Sequence, residues 1–224
     1  MTQCKSVPCI FSSRSLLPDI PALAKLVQRI NSIVGVFVYS IHLRQSSFVI
    51  VYAMTVKAEE HQKAKSALKF IVPIIEKYEF RWVITGGFAC YVYGIDRLLT
   101  DIDIDLDTSK DSSEFKHFMK DVESSISQPL EHFVDENYDN YNFELIYEDQ
   151  IIDICPMADL KIFNQDKKTY VPFYQTDFPP IEFTDFEGFT LPLLSKQAII
   201  NNKEMLTLKD KWQIRDIAEL RKLL

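Results

Sequence analysis

The sequence predicts an α/β (α+β) domain in which helices pack on a sheet and a helical portion ends the chain. Three observations point there. Ala64, Ala67, Leu68, Ile71 and Ile75 recur at the spacing of one helix face. Residues 100–107 alternate strictly between polar and aliphatic side chains, the period of a strand. Residues 194–205 and 209–224 form two further helical segments at the C-terminal end. The chain has 224 residues, 47% of them apolar and 25% charged. That is globular composition, with room for one large domain or two small ones and no call for long disorder.

The elements follow in order. Residues 1–53 are rich in Ser and Val, carry Pro8, Pro18 and Pro21, and show no sustained period. Their net charge is +4 in a chain of net charge -7. Two readings stay open for this N-terminal extension. Translation begins at Met54, or a short helix near residues 20–33 leads into a further strand or helix added to the domain. From residue 55 a helix is expected, with Pro73 able to kink it. Residues 81–85 give a short buried strand, broken by Gly86-Gly87, and residues 88–93 a helix opening on that glycine pair. After the alternating strand at 100–107, residues 111–124 form a helix with Phe115, Phe118 and Val122 on one side. Strands at 141–147 and 150–155 flank the turn Glu148-Asp149. Residues 156–192, rich in Pro and aromatics, mix strand and loop.

Composition excludes several classes. With a pI near 5.2, the chain is a poor general binder of nucleic acid, since duplex affinity rests on Lys and Arg neutralising phosphates. Four scattered cysteines make neither a disulfide framework nor a C-x-x-C zinc pair. The most apolar stretch, 33–54, is interrupted by His42, Arg44 and Gln45, so no membrane span or membrane partner is expected. The start lacks a signal-peptide pattern, and a reduced, cytoplasmic protein is expected. There is no internal repeat, no P-loop motif and no diagnosable Ser–His–Asp spacing. His42, His61, His117 and His132 have no evident catalytic partners and are assigned structural or solvent roles. Trp82, Phe88, Tyr91 and Tyr93 are expected in the core.

Chemistry concentrates elsewhere. Of five glycines in the chain, Gly86, Gly87 and Gly94 fall within nine residues. A glycine pair directly after a strand admits positive φ and close backbone approach, and the first N–H groups of a following helix favour an anion such as phosphate. Thirteen residues separate Gly87 from Asp101-Ile-Asp-Ile-Asp-Leu-Asp107. On a strand the four aspartates share one face and Ile102, Ile104 and Leu106 the other, which fixes the register. Such a row of acids is costly unless solvent or cations screen it, and Mg²⁺ suits carboxylates combined with phosphate oxygens. A further carboxylate, Asp153, is the lone charge in Ile151-Ile-Asp-Ile-Cys155. Burying it alone would be expensive. A neighbouring strand that sets it beside Asp101 and Asp103 resolves that cost through a shared metal.

These residues resemble the DNA polymerase β-type nucleotidyltransferase superfamily. The run TGGFACYVYGIDRLLTDIDIDLD is similar to a stretch shared by AbiEii-type toxins and by small lincosamide and aminoglycoside nucleotidyltransferases. The C-terminal stretch LPLLSKQAIINNK…LKDKWQIRDIAEL also looks like the tail of those families. The resemblance covers about residues 60–224, so residues 54–224 are expected to form a nucleotidyltransferase domain with a mixed sheet. It implies that Gly86 and Gly87 cradle the triphosphate of an NTP. It further implies that Asp101, Asp103 and Asp153 hold two Mg²⁺, and that Asp153 also activates the acceptor hydroxyl. Arg97 is placed to reach phosphate, with Lys196 and Lys209 as further phosphate contacts. Phe88 departs from the small hydroxyl residue found there in many relatives, which leaves Thr85 to substitute. Asp105 and Asp107 are expected to be non-catalytic. The AbiEii resemblance implies an acceptor that is RNA or protein in a toxin–antitoxin setting, and with it an antitoxin partner. The alternatives are a small antibiotic, to which the acidic stretch 135–149 would suit a cationic one, or a catalytically silent nucleotide-binding module.

Overall fold

The acid–aliphatic alternation folds as a strand, and the sheet is built outward from it. The computed structural model describes residues 46–173, 178–206 and 209–224; the helix expected near residues 20–33 lies outside them. The chain divides at residue 50, and the elements below belong to the unit of residues 51–224, whose first helix begins slightly earlier. In chain order they are α1 (Ser46–Lys77), β1 (Trp82–Ile84), α2 (Gly86–Val92), β2 (Asp101–Leu106), α3 (Ser113–Asp121), β3 (Ile126–Val134), β4 (Tyr138–Tyr147), β5 (Gln150–Pro156), β6 (Lys161–Asn164), β7 (Thr169–Pro172), β8 (Ile181–Phe186), β9 (Phe189–Leu194), α4 (Lys196–Met205) and α5 (Lys211–Arg221). Helix α1 runs through the expected boundary at Met54 and contains Pro73.

One sheet of nine strands has the order β7-β6-β4-β5-β2-β1-β9-β8, with β3 on the free edge of β4. It is mixed, as expected. Strand β2 runs parallel to β5 and β1 parallel to β9, while the other pairs are antiparallel. Ile102, Ile104 and Leu106 of β2 meet Ile152 and Ile154 of β5 and Phe143 and Leu145 of β4 on one face, all essentially inaccessible to water. The α1 residues at helical spacing, Ala64, Ala67, Leu68, Ile71 and Ile75, are likewise fully buried. Each large aliphatic side chain so removed from water contributes about 1.5–3 kcal/mol. This apolar layer holds the register of β2 against β5, and the register decides where the acids point.

Strand β4 changes partner along its length. Its C-terminal half, from Phe143 to Tyr147, pairs with β5, whereas Tyr138 and Asp139 pair with Ile162 and Lys161 of β6. The sheet therefore forks between β5 and the first half of β4. Strand β3 was not expected from the sequence. Its residues are mostly exposed, it contains Pro129, and its register shifts twice. An edge strand tolerates Pro and needs no alternation, so it leaves little periodic signal.

The C-terminal helices start at recognisable caps. Ser195 accepts a hydrogen bond from the N–H of Ala198 to open α4. Asp210 and Gln213 form a reciprocal capping box at the start of α5. None of the described helices is long and apolar enough to cross a membrane.

Candidate active site

The glycine pair sits where β1 hands over to α2. The Thr85 N–H donates to the Asp103 carbonyl at 3.0 Å, which ties the corner to the middle of β2. Gly86 follows with φ of +60°, a left-handed conformation that costs other residues roughly 1–2 kcal/mol. A Cβ at Gly86 would also overlap the Asp103 carboxylate, and one at Gly87 would overlap the guanidinium of Arg97. The Gly87 N–H donates to the Asp103 carboxylate. Gly86 is thus required by its conformation and by the close approach of Asp103, whereas a Cβ at Gly87 would have to displace the Arg97 guanidinium. Phe88 is buried and packs edge-on against Phe186 at 5.4 Å, away from the corner's open side.

Strands β2 and β5 run in register, with Asp103 directly beside Asp153. Neighbours in register point to the same face of a sheet. Asp101, Asp103 and Asp153 accordingly bring one carboxylate oxygen each to within 4.8 Å of one another. Burial pushes the Asp103 carboxyl up to about 7, helped by the charges of Asp101, Asp153 and Asp105 and opposed by the Gly87 N–H. Burial, then Asp101 and Glu144, pushes Asp153 up to about 6. Burial first, and neighbouring like charge second, disfavour the ionised forms here. Three half-buried carboxylates in such a cluster form a hard oxygen donor set, which fits a divalent cation such as Mg²⁺.

The cluster lies in a cavity of about 540 Å³. Thr85, Gly86, Gly87, Arg97, Asp101, Asp103 and Asp153, all singled out from the sequence, line it together. Lys196 and Lys209 are not among its lining residues. Lys196 pairs with Glu182 and lies 4.2 Å from the Tyr93 ring centre, and Lys209 donates to the Leu206 carbonyl at 2.7 Å. Asp105 lines the cavity and is buried, while Asp107 pairs with Arg81 outside it. Two of the histidines have partners the sequence did not disclose: His61 bridges the Tyr91 hydroxyl and Glu187, and His132 meets Asp139. Both tie structural elements together outside the cavity.

Sequence reasoning missed other parts of the wall. Lys203 of α4 and Asp216 of α5 line the glycine side. Lys203 stands in the C-terminal stretch already singled out, but nothing in its spacing distinguishes it from Lys196 or Lys209. A signal for Asp216 existed: it is an acid beside Ile217 and four residues before Leu220, both buried on the inner side of α5. On the fork side, Tyr138 and Asn140 of β4 face Cys155 of β5 across the gap. Asn140 hydrogen-bonds the Cys155 thiol, and its Oδ1 is buried with no donor.

No family model matches the sequence, and no curated protein is significantly similar to it. Several solved structures are similar. One is a candidate nucleotidyltransferase from Thermotoga maritima, with 18% identity over 70% of this chain and 91% of that one and a TM-score of 0.49. A second is the lincosamide antibiotic adenylyltransferase LnuA with lincomycin bound, at 19% identity, 70% and 96% coverage and a TM-score of 0.46. A third is ANT(2'')-Ia, solved in complex with adenylyl-2''-tobramycin, at 16% identity, 70% and 87% coverage and a TM-score of 0.46.

Proposed function

We propose that this protein is a Mg²⁺-dependent nucleotidyltransferase, moving a nucleoside monophosphate from an NTP to a hydroxyl acceptor with release of pyrophosphate. The observation that carries the reading is the convergence of Asp101, Asp103 and Asp153, from two in-register parallel strands, beside a glycine corner whose backbone comes close to Asp103. Asp101, Asp103 and Asp153 would hold two Mg²⁺. Bound there, Mg²⁺ would stabilise the charge that develops on the α-phosphate and on the leaving pyrophosphate. Gly86 and Gly87 let the phosphate chain approach the backbone without a Cβ in the way. The attacking and leaving oxygens in phosphoryl transfer lie roughly in line. With pyrophosphate leaving on the glycine side, the acceptor hydroxyl would approach from the fork side, where Asp153 would take its proton.

Charge narrows the acceptor. Among the described residues lining the cavity, the basic ones are Arg97 and Lys203, both on the glycine side. The fork side presents Tyr138, Asn140 and Asn142 beside Asp153 and Asp105. An RNA acceptor calls for Lys or Arg along its backbone path. This wall supports a small polar or cationic hydroxyl compound, the antibiotic type of acceptor, more directly. The second reading is transfer to RNA or protein in a toxin–antitoxin setting, which rests on the motif resemblance at residues 85–107.

The test is incubation of the full chain with each α-labelled NTP, Mg²⁺ and, in turn, cationic antibiotics, tRNA and bulk protein. Label is expected on an acceptor with wild type. Asp103→Asn and Asp153→Asn should lose transfer by roughly 10²–10³-fold or more, as when a charge-stabilising group is removed. Calorimetry showing no NTP bound in the presence of Mg²⁺ would overturn the proposal.

A further inference from the structure

The three acids of the cluster are not equally well held by the sheet. Asp103 and Asp153 lie inside the ladder. Asp103 pairs with Asp153 and its carboxylate receives the Gly87 N–H, while Asp153 also pairs with Glu144 of β4. Asp101 is the first residue of β2, where the ladder ends. Ends of elements open most easily, so Asp101 needs support from beyond the ladder.

Side chains from two other elements supply it. Gln150 opens β5 and is buried, with 3% exposure. Its backbone pairs with Tyr147 across the β4–β5 turn, but its side chain reaches toward β2. The Gln150 Nε2 donates to the Thr100 carbonyl at 3.2 Å and to the Ile151 carbonyl at 3.1 Å. Ile151 is the residue that pairs with Asp101. One amide thus ties the residue before Asp101 to the residue beside it, adding a rung where the strand begins. Glu60 of α1 holds the same segment from another side, since its carboxylate accepts from the Leu99 N–H at 3.2 Å. The Thr100 hydroxyl, on the cavity wall, donates to Oδ1 of Asp101 at 2.9 Å. An aliphatic residue at position 150 would fill the same space without needing partners. What the buried amide adds is direction for the chain entering β2.

We propose that Gln150 and Thr100 are positioning residues for Asp101. Gln150 fixes the backbone at the start of β2, and the Thr100 hydroxyl aims the carboxylate at the cation shared with Asp103 and Asp153. The proposal rests on the metal-binding part of the nucleotidyl-transfer reading. Both residues act through Asp101. A carboxylate that accepts one hydroxyl keeps further lone pairs for a metal.

The test is calorimetric titration of Mg²⁺, and separately of Mn²⁺, into the full metal-free chain, with melting curves of each metal-free variant. Groups that hydrogen-bond a metal-holding side chain typically cost 10–100-fold in metal affinity when removed, so Thr100→Val should weaken binding about tenfold. Thr100 is exposed, and its metal-free melting temperature should stay at the wild-type value. Thr100→Ser keeps the hydroxyl and should bind as wild type does. Gln150→Leu should weaken metal binding and also lower the metal-free melting temperature. Ile71→Val, a change in the buried face of α1, separates lost stability from lost positioning: it should lower melting and leave metal affinity unchanged. Should Gln150→Leu fail to fold, Thr100→Val decides alone. Wild-type metal affinity in either folded variant, Thr100→Val or Gln150→Leu, overturns the proposal and leaves the transferase reading standing. Failure of wild type to bind either ion, with or without an NTP, overturns both.

Discussion

Gly86 makes the sharpest demand of any single residue in the cavity. Its φ of +60° and the lack of room for a Cβ against Asp103 act together, so substitution cannot be relieved by backbone adjustment without moving the carboxylate. Gly86→Ala is expected to lower stability by about 1–2 kcal/mol from backbone strain alone and to weaken Mg²⁺ binding because Asp103 is displaced. Thermal melting with and without Mg²⁺ checks both effects, and an unchanged Mg²⁺-induced shift would count against the close approach. Gly94 makes a useful control, since it also has positive φ but its Cβ would meet nothing within 4 Å. Gly94→Ala should cost strain while leaving the metal response intact.

At the scale of elements, the strand pair β2–β5 carries the acidic cluster, and its register is set from the opposite face. Ile154 is fully buried, pairs with Ile104 and with Phe143, and neighbours Asp153 in sequence. Ile154→Ala should destabilise the fold by about 2–5 kcal/mol, measurable by denaturant unfolding, although the residue has no polar role. The strand pair was legible in the sequence for a physical reason. A row of acids opposite a row of isoleucines admits one orientation, and a lone Asp in an apolar strand demands a charged neighbour. The helices with clear spacing, α1 and α3, were legible for the same kind of reason. Strand β3 was not, because an exposed edge imposes no pattern. Lys203 was not either, and Asp216 left only the faint signal of an acid beside the buried Ile217. A lysine on a helix signals nothing until tertiary structure brings it against a buried acid 13 residues further on. Lys196 and Lys209, singled out from the sequence, pair with Glu182 and with a helix-end carbonyl.

For the whole molecule, the crowded carboxylates give stability a characteristic pH dependence. In the folded protein Asp103 holds its proton up to about 7 and Asp153 up to about 6, whereas an unfolded chain releases both near pH 4. Between those limits the folded state binds more protons, so unfolding free energy falls as pH rises. The metal-free protein is therefore expected to melt several degrees higher near pH 5.5 than near pH 7.5. Mg²⁺ should raise the melting temperature more at the higher pH, since its ligands must be deprotonated. Glu187, drawn down to about 2 by Lys65 and His61, works in the opposite direction. Its contribution is lost only as pH falls below the ordinary glutamate range, outside this window. A metal-free melting temperature that climbs steadily from pH 5.5 to 7.5 would contradict the crowded-charge picture.

The fork where β4 leaves β5 for β6 has a consequence for how such a protein can diversify. The width of the opening depends on how far along β4 the pairing runs before the strand switches sides. Lengthening the hairpin arm by two residues would move the branching point and enlarge the entrance while keeping every inward side chain inward. A single-residue insertion would turn the whole arm inside out. Other widths of the opening can thus be reached in even steps, with the strands that carry Asp101, Asp103 and Asp153 left untouched.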